Sequence, residues 1–109
     1  PKRKLDRLAA AGRFTGPIRA ATLAIVLVQP PDGYEFDMGR AAQNMMLAAH
    51  SLGLGSCIVG FGAQVTHDAE IVEALELKEN EKIYGPIVVG YPEIVPEPPP
   101  KKPPVVKWI

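Results

Sequence analysis

Apolar and polar positions change rhythm several times along this chain, and each change predicts an element. Lys2 to Ala11 predicts a short helix with a basic face, closed by Gly12 as its C′ residue. Thr22 to Gln29 is β-branched and almost wholly apolar, and it stops at the turn cluster Pro30-Pro31-Asp32-Gly33. It predicts a strand buried on both faces. Asp37 can cap a helix from about Met38 to Leu52, ended by Gly53. On it Ala41, Met45, Ala48 and Ala49 recur at helical spacing, with Ala42, Met46 and Leu52 close by. Nearly every side is apolar, which predicts a central, buried helix. Ser56 to Phe61 reads as a short strand entering the loop Gly60-Phe61-Gly62. Thr66 or Asp68 can cap a helix to about Leu75, with Ile71, Val72 and Leu75 inward and Glu70, Glu73 and Glu76 outward. Lys82 to Tyr91 is the last clear strand.

Helix, strand, helix, strand, helix, strand predicts a layered α/β or α+β architecture, a mixed sheet flanked by helices. A chain of 109 residues makes one small domain and buries only about two-thirds of its unfolded surface. Three strands make a poor sheet alone, so a partner chain or further sequence is expected to complete the core. Seven of the twelve prolines fall between Pro92 and Pro104, so the compact part, residues 1–91, is expected to stop there. Residues 92–109 then form an extended arm, because proline excludes helix. The arm ends in Val105-Val106-Lys107-Trp108-Ile109, an apolar and aromatic stretch expected to dock on another surface, a second copy of the chain being one candidate.

Composition narrows the chemistry. Lys+Arg and Asp+Glu both number 12, for a net charge of zero. That argues against binding nucleic acid or an anionic membrane through bulk charge. The single cysteine, Cys57, excludes an intrachain disulfide and a Cys-rich zinc site. The longest apolar run, Ala20 to Val28 interrupted by Thr22, is far short of the ~20 residues that span a bilayer. No signal-peptide core follows the basic start, so the expected compartment is cytoplasmic. No phosphate-binding glycine motif, nucleophile elbow or His-Glu-x-x-His is present, and two histidines with one cysteine build no conventional metal site. Any chemistry is therefore expected to come from an organic cofactor rather than from a catalytic side chain. His50 reads as a helix-surface or interface residue and His67 as a helix-start residue. Cys57 reads as a buried inert thiol, and Asp37 and Arg40 as capping and surface charge.

Two stretches remain as candidates. Gly53-Leu54-Gly55-Ser56-Cys57-Ile58-Val59-Gly60-Phe61-Gly62 carries four glycines in ten residues. It is either a helix C-cap running into a tight strand edge, or a strand end whose bare amides face a flat ligand. Lys101-Lys102, held in a stiff proline frame, is either a phosphate contact or a solvated charge pair.

The run from Asp37-Met38-Gly39-Arg40-Ala41-Ala42-Gln43-Asn44-Met45 through Leu52-Gly53-Leu54-Gly55-Ser56-Cys57 resembles the central helix and glycine turn of the nitroreductase family of FMN-dependent oxidoreductases. Gly85-Pro86-Ile87-Val88-Val89-Gly90-Tyr91-Pro92 is similar to that family's last core strand, and the Pro-Lys-Lys-Pro segment to its basic C-terminal stretch. The resemblance covers roughly residues 14 to 108. It implies that FMN lies against Ile58, Val59 and Gly60, with Cys57 preceding them, and that one main-chain N–H there donates to flavin N5. It implies that Lys101 and Lys102 approach the FMN phosphate. It further implies an intertwined homodimer with FMN at the subunit interface, NAD(P)H as hydride donor, and a nitroaromatic, quinone or similar acceptor.

One departure stands beside it. The family's N-terminal Arg-x-Ser-x-Arg-type segment, which binds the flavin phosphate and ribityl chain, has no counterpart here, and Lys2-Arg3-Lys4 does not match it. The chain is then expected to be the C-terminal part of a longer protein or a reduced relative that has lost flavin binding, unless a separate segment supplies the missing contacts. The rival to the redox reading is a non-catalytic dimerisation or small-molecule-binding domain on the same fold.

Overall fold

The computed structural model describes residues 2–10, 16–60 and 68–109. Three strands, β1 (Leu23–Gln29), β2 (Gly55–Ile58) and β3 (Lys82–Gly90), form one sheet in the order β1-β3-β2. Both outer strands run antiparallel to β3. The helices are α1 (Lys2–Ala10), α2 (Gly16–Ala20), α3 (Glu35–Ser51) and α4 (Ala69–Ala74). The class is α+β. The pattern did not foresee α2, which has only five residues and opens on Gly16-Pro17, where proline is tolerated in the first turn.

β3 is central, paired on one side with β1 and on the other with β2, and its Ile87 and Val88 are buried. A proline inside a central strand ordinarily breaks the ladder. Here the register shifts from Ile25↔Ile87 to Leu27↔Tyr84, so Gly85 and Pro86 together oppose Val26 in a bulge. Gly85 has φ 88°, and a Cβ on it would also meet the Ile87 nitrogen at 3.0 Å, so glycine is required.

Alternation along β3 sends neighbouring side chains to opposite faces. Val88 packs with Ala9, Ile18 and Val59 beneath α1 and α2, while Ile87 packs with Leu27 and Ala42 beneath α3. The sheet is thus a middle layer between two helical ones. No helix among the described residues is long and apolar enough to cross a membrane.

Several expectations are corrected. β1 is not buried on both faces: it is an outer strand, and Leu23 is 51% and Val28 37% exposed. α3 is not buried on every side. Ala42 and Ala49 are buried, but Phe36 is 77%, Leu47 57% and Leu52 75% exposed. A small sheet covers only one stripe of a helix, so the rest of α3 stays open. Asp37 is not the cap of α3. Tyr34 holds that place without a side-chain hydrogen bond, and Asp37 lies in the first turn, paired with Arg40 at 3.3 Å. A carboxylate there still suits the helix dipole. Asp68 does cap α4, accepting from the Glu70 and Ile71 amides at 3.1 and 3.3 Å. β2 is shorter than Ser56 to Phe61. Gly12, Phe61, Gly62, Thr66 and His67 lie outside the described residues.

From Tyr91 to Ile109 every residue is exposed and none is in a helix or strand. This matches the proline content of the arm.

Candidate functional site

The glycine-rich stretch starts by ending α3. The Gly53 amide donates to His50 O at 3.0 Å and the Leu54 amide to Ala49 O at 2.9 Å, with Gly53 at φ 75°. This is a Schellman cap, which needs a residue at ease in the left-handed region. It turns the chain directly into β2. Next, a Cβ on Gly55 would meet Pro92 Cβ at 3.3 Å, so the absent side chain lets the root of the arm pass close to β2.

β2 is an edge strand. Val59 N–H donates to Pro86 O at 2.8 Å. In an antiparallel ladder, alternate residues bond to the partner strand and the others face away. Residues 55, 57 and 59 therefore face β3, and the amides of Ser56 and Ile58 point outward, with Gly60 next in that series. Ile58 is 50% exposed, Gly60 is exposed, and a Cβ on Gly60 would meet nothing within 4 Å. Val59 is different. Its side chain is buried under α1 and α2 and its amide is taken by Pro86. Of the three positions singled out in the sequence, the bare edge is at Ile58 and Gly60.

Cys57 is exposed, which corrects the reading of a buried thiol. An edge strand of four residues does not enclose it, and its Sγ donates weakly to Ile58 O at 3.6 Å. Lys101 and Lys102 are exposed on the arm, beyond the point where Pro92 passes Gly55. His50 is exposed in the last turn of α3, as a surface histidine. Among the described residues no three His, Cys, Asp or Glu side chains gather as a metal site.

One pairing had no signal in the sequence. The Tyr84 hydroxyl donates to Glu35 Oε1 at 2.5 Å, joining β3 to the first turn of α3 across 49 positions. The hydrogen bond to Glu35, partial desolvation and the carboxylate's charge together raise the Tyr84 pKa above its ordinary 10.0.

The sequence model of the nitroreductase family matches residues 6–91. A crystal structure of a protein named as an NADH dehydrogenase/NAD(P)H nitroreductase, from Bacteroides thetaiotaomicron VPI-5482, is 28% identical with a TM-score of 0.76. It is matched over 94% of this chain and 63% of its own. One of the same description from Parabacteroides distasonis ATCC 8503 is 25% identical with a TM-score of 0.79, over 94% of this chain and 64% of that one. A protein named as an NADH oxidase, from Clostridium acetobutylicum, is 31% identical with a TM-score of 0.70, over 84% and 59%. The chain thus spans about three-fifths of the length of these structures. No curated protein matches it. The chain belongs to the nitroreductase family.

Proposed function

We propose that this member of the nitroreductase family serves an FMN-dependent oxidoreductase that takes hydride from NAD(P)H and delivers it to a nitroaromatic, quinone or similar acceptor. The observation that carries the reading is the open edge at Ile58 and Gly60, on a chain of this family. A flat ring needs close access to main-chain donors, and side chains at that point would deny it. The chemistry supplied by bound FMN is the hydride relay itself.

The chain's own residues hold and tune. The outward amides at Ile58 and Gly60 donate hydrogen bonds to the ring edge, where fixed dipoles favour the more negatively charged form. Val59 anchors this edge from behind, through its buried side chain and its bond to Pro86. Lys101 and Lys102 contact the phosphate, with proline limiting the entropy lost in ordering them. No side-chain acid or base in the chain is required. The exposed apolar side chains Phe36, Leu47 and Leu52 on and beside α3, and the exposed arm, are covered in a homodimer.

The test is the visible spectrum of the purified protein, followed by titration with FMN. The expected result is a flavin band that is retained or taken up stoichiometrically, and bleached by NAD(P)H. A colourless protein that takes up no FMN overturns the redox reading and leaves a non-catalytic binding or dimerisation domain.

A further inference from the structure

A cavity of about 830 Å³ lies between α1 and α4. Its size falls in the range of roughly 300–1,000 Å³ in which proteins hold small ligands. Half-buried Leu8 and Leu75, with Ile71 buried behind them, give it an apolar floor. Its two rims carry opposite charge, with Arg3 and Lys4 on the α1 side and Glu73 on the α4 side. We propose that this cleft binds a short apolar peptide with free ends, its carboxylate at Arg3 and Lys4 and its ammonium at Glu73. The cleft shares no lining residue with β2 or the arm, so this site stands or falls independently of the flavin reading.

The class of ligand follows from the charges, the width and the floor. Lys2 on α1 is paired with Asp6, but Arg3, Lys4 and Glu73 make no ion pair among the described residues. Opposite charges that flank a gap without closing it suit a guest that carries both signs. Helices in direct contact lie about 8–10 Å apart, and a cavity between two helices sets their rims no closer than that. A free amino acid holds both charges on one carbon and cannot meet both rims. An extended peptide reaches about 3.3–3.6 Å per residue, so three residues span about 10 Å. In such a chain the first and third side chains share one face. Two apolar side chains then rest on Leu8, Ile71 and Leu75, while the charged ends stay at the solvated rims.

The experiment titrates the full chain with the tripeptide Leu-Ala-Leu and follows backbone amide shifts by NMR. The expected result is saturable shifts confined to α1 and α4. The N-acetylated peptide, which lacks the ammonium, and the C-amidated peptide, which lacks the carboxylate, are each expected to bind about two- to fivefold more weakly, as for ionic contacts at an exposed rim. Glu73→Lys makes both rims positive and is expected to favour the N-acetylated peptide. Arg3→Glu with Lys4→Glu makes both rims negative and is expected to favour the C-amidated one. A purely structural role for these side chains would not switch the preference in opposite directions. Shifts that are absent at millimolar peptide, or that lie elsewhere, overturn the site. Equal binding of the three peptides, or no switch in variants that keep their thermal melt, overturns the ligand class. Should either variant fail to fold, the comparison of the three peptides on the unaltered protein decides.

Discussion

Replacing Gly60 with valine separates the fold from the proposed site. A Cβ at this position meets nothing within 4 Å, and Gly60 shows no left-handed φ that would strain a β-branched residue. The expected change in folding stability is therefore within about 0.5 kcal/mol, as for open surface positions. Ligand binding is another matter. The proposal needs a ring to approach the main chain at Gly60, and an isopropyl group occupies that approach. Loss of one amide hydrogen bond costs about 0.5–1.5 kcal/mol. Displacement of the ring from the Ile58 amide costs about as much again, so about 1–3 kcal/mol is lost in all, which weakens FMN about 5- to 150-fold. The assay pairs an FMN fluorescence titration with a thermal melt on the same preparations, with Gly60→Ala as an intermediate step. An FMN dissociation constant unchanged in a folded Gly60→Val protein would refute the reasoning. A collapse of the melt would instead show that the space at Gly60 is needed by the fold.

Lys101→Ala with Lys102→Ala is expected to weaken FMN by about 1.5–3 kcal/mol for a lost charge-assisted bond. It should leave riboflavin, which lacks the phosphate, unaffected, and equal losses for both ligands would contradict the phosphate role. Ile87 is fully buried between Leu27 and Ala42, so Ile87→Ala is expected to cost about 2–5 kcal/mol and Ile87→Val about 0.5–1.5. Urea unfolding measures both, and a loss below about 1 kcal/mol for the alanine variant argues against the packing described. The raised Tyr84 pKa means that the folded state holds this proton more tightly than the unfolded chain does. The associated stability is present below the ordinary value of 10.0 and is lost as pH rises through the higher folded value. Glu35→Gln is expected to bring the Tyr84 titration, followed by ultraviolet absorbance, down toward 10.0 and to flatten that loss; an unmoved titration rules out the Glu35 contact as its cause.

Local chemistry alone determined much of this protein. The β-branched run at 23–29, the helical recurrence of Ala and Met before Gly53, the Asp68 cap and the proline-dense arm each declare their structure through backbone preference or through a bond made a few residues away. The residues 37–57 and 85–92 also carried the resemblance to the family that the comparisons then showed. What needed the tertiary structure was every question of which neighbour lies across a gap. Only the sheet order made β1 and β2 outer strands, exposing Leu23 and Cys57, and only the bulge at Gly85-Pro86 let a proline-bearing strand take the centre. The division among Ile58, Val59 and Gly60 was set the same way. A pairing register decides which amides are consumed, and no local pattern encodes the partner strand some thirty residues downstream. The bond from Tyr84 to Glu35 belongs with these, because it arises where segments distant in the chain meet.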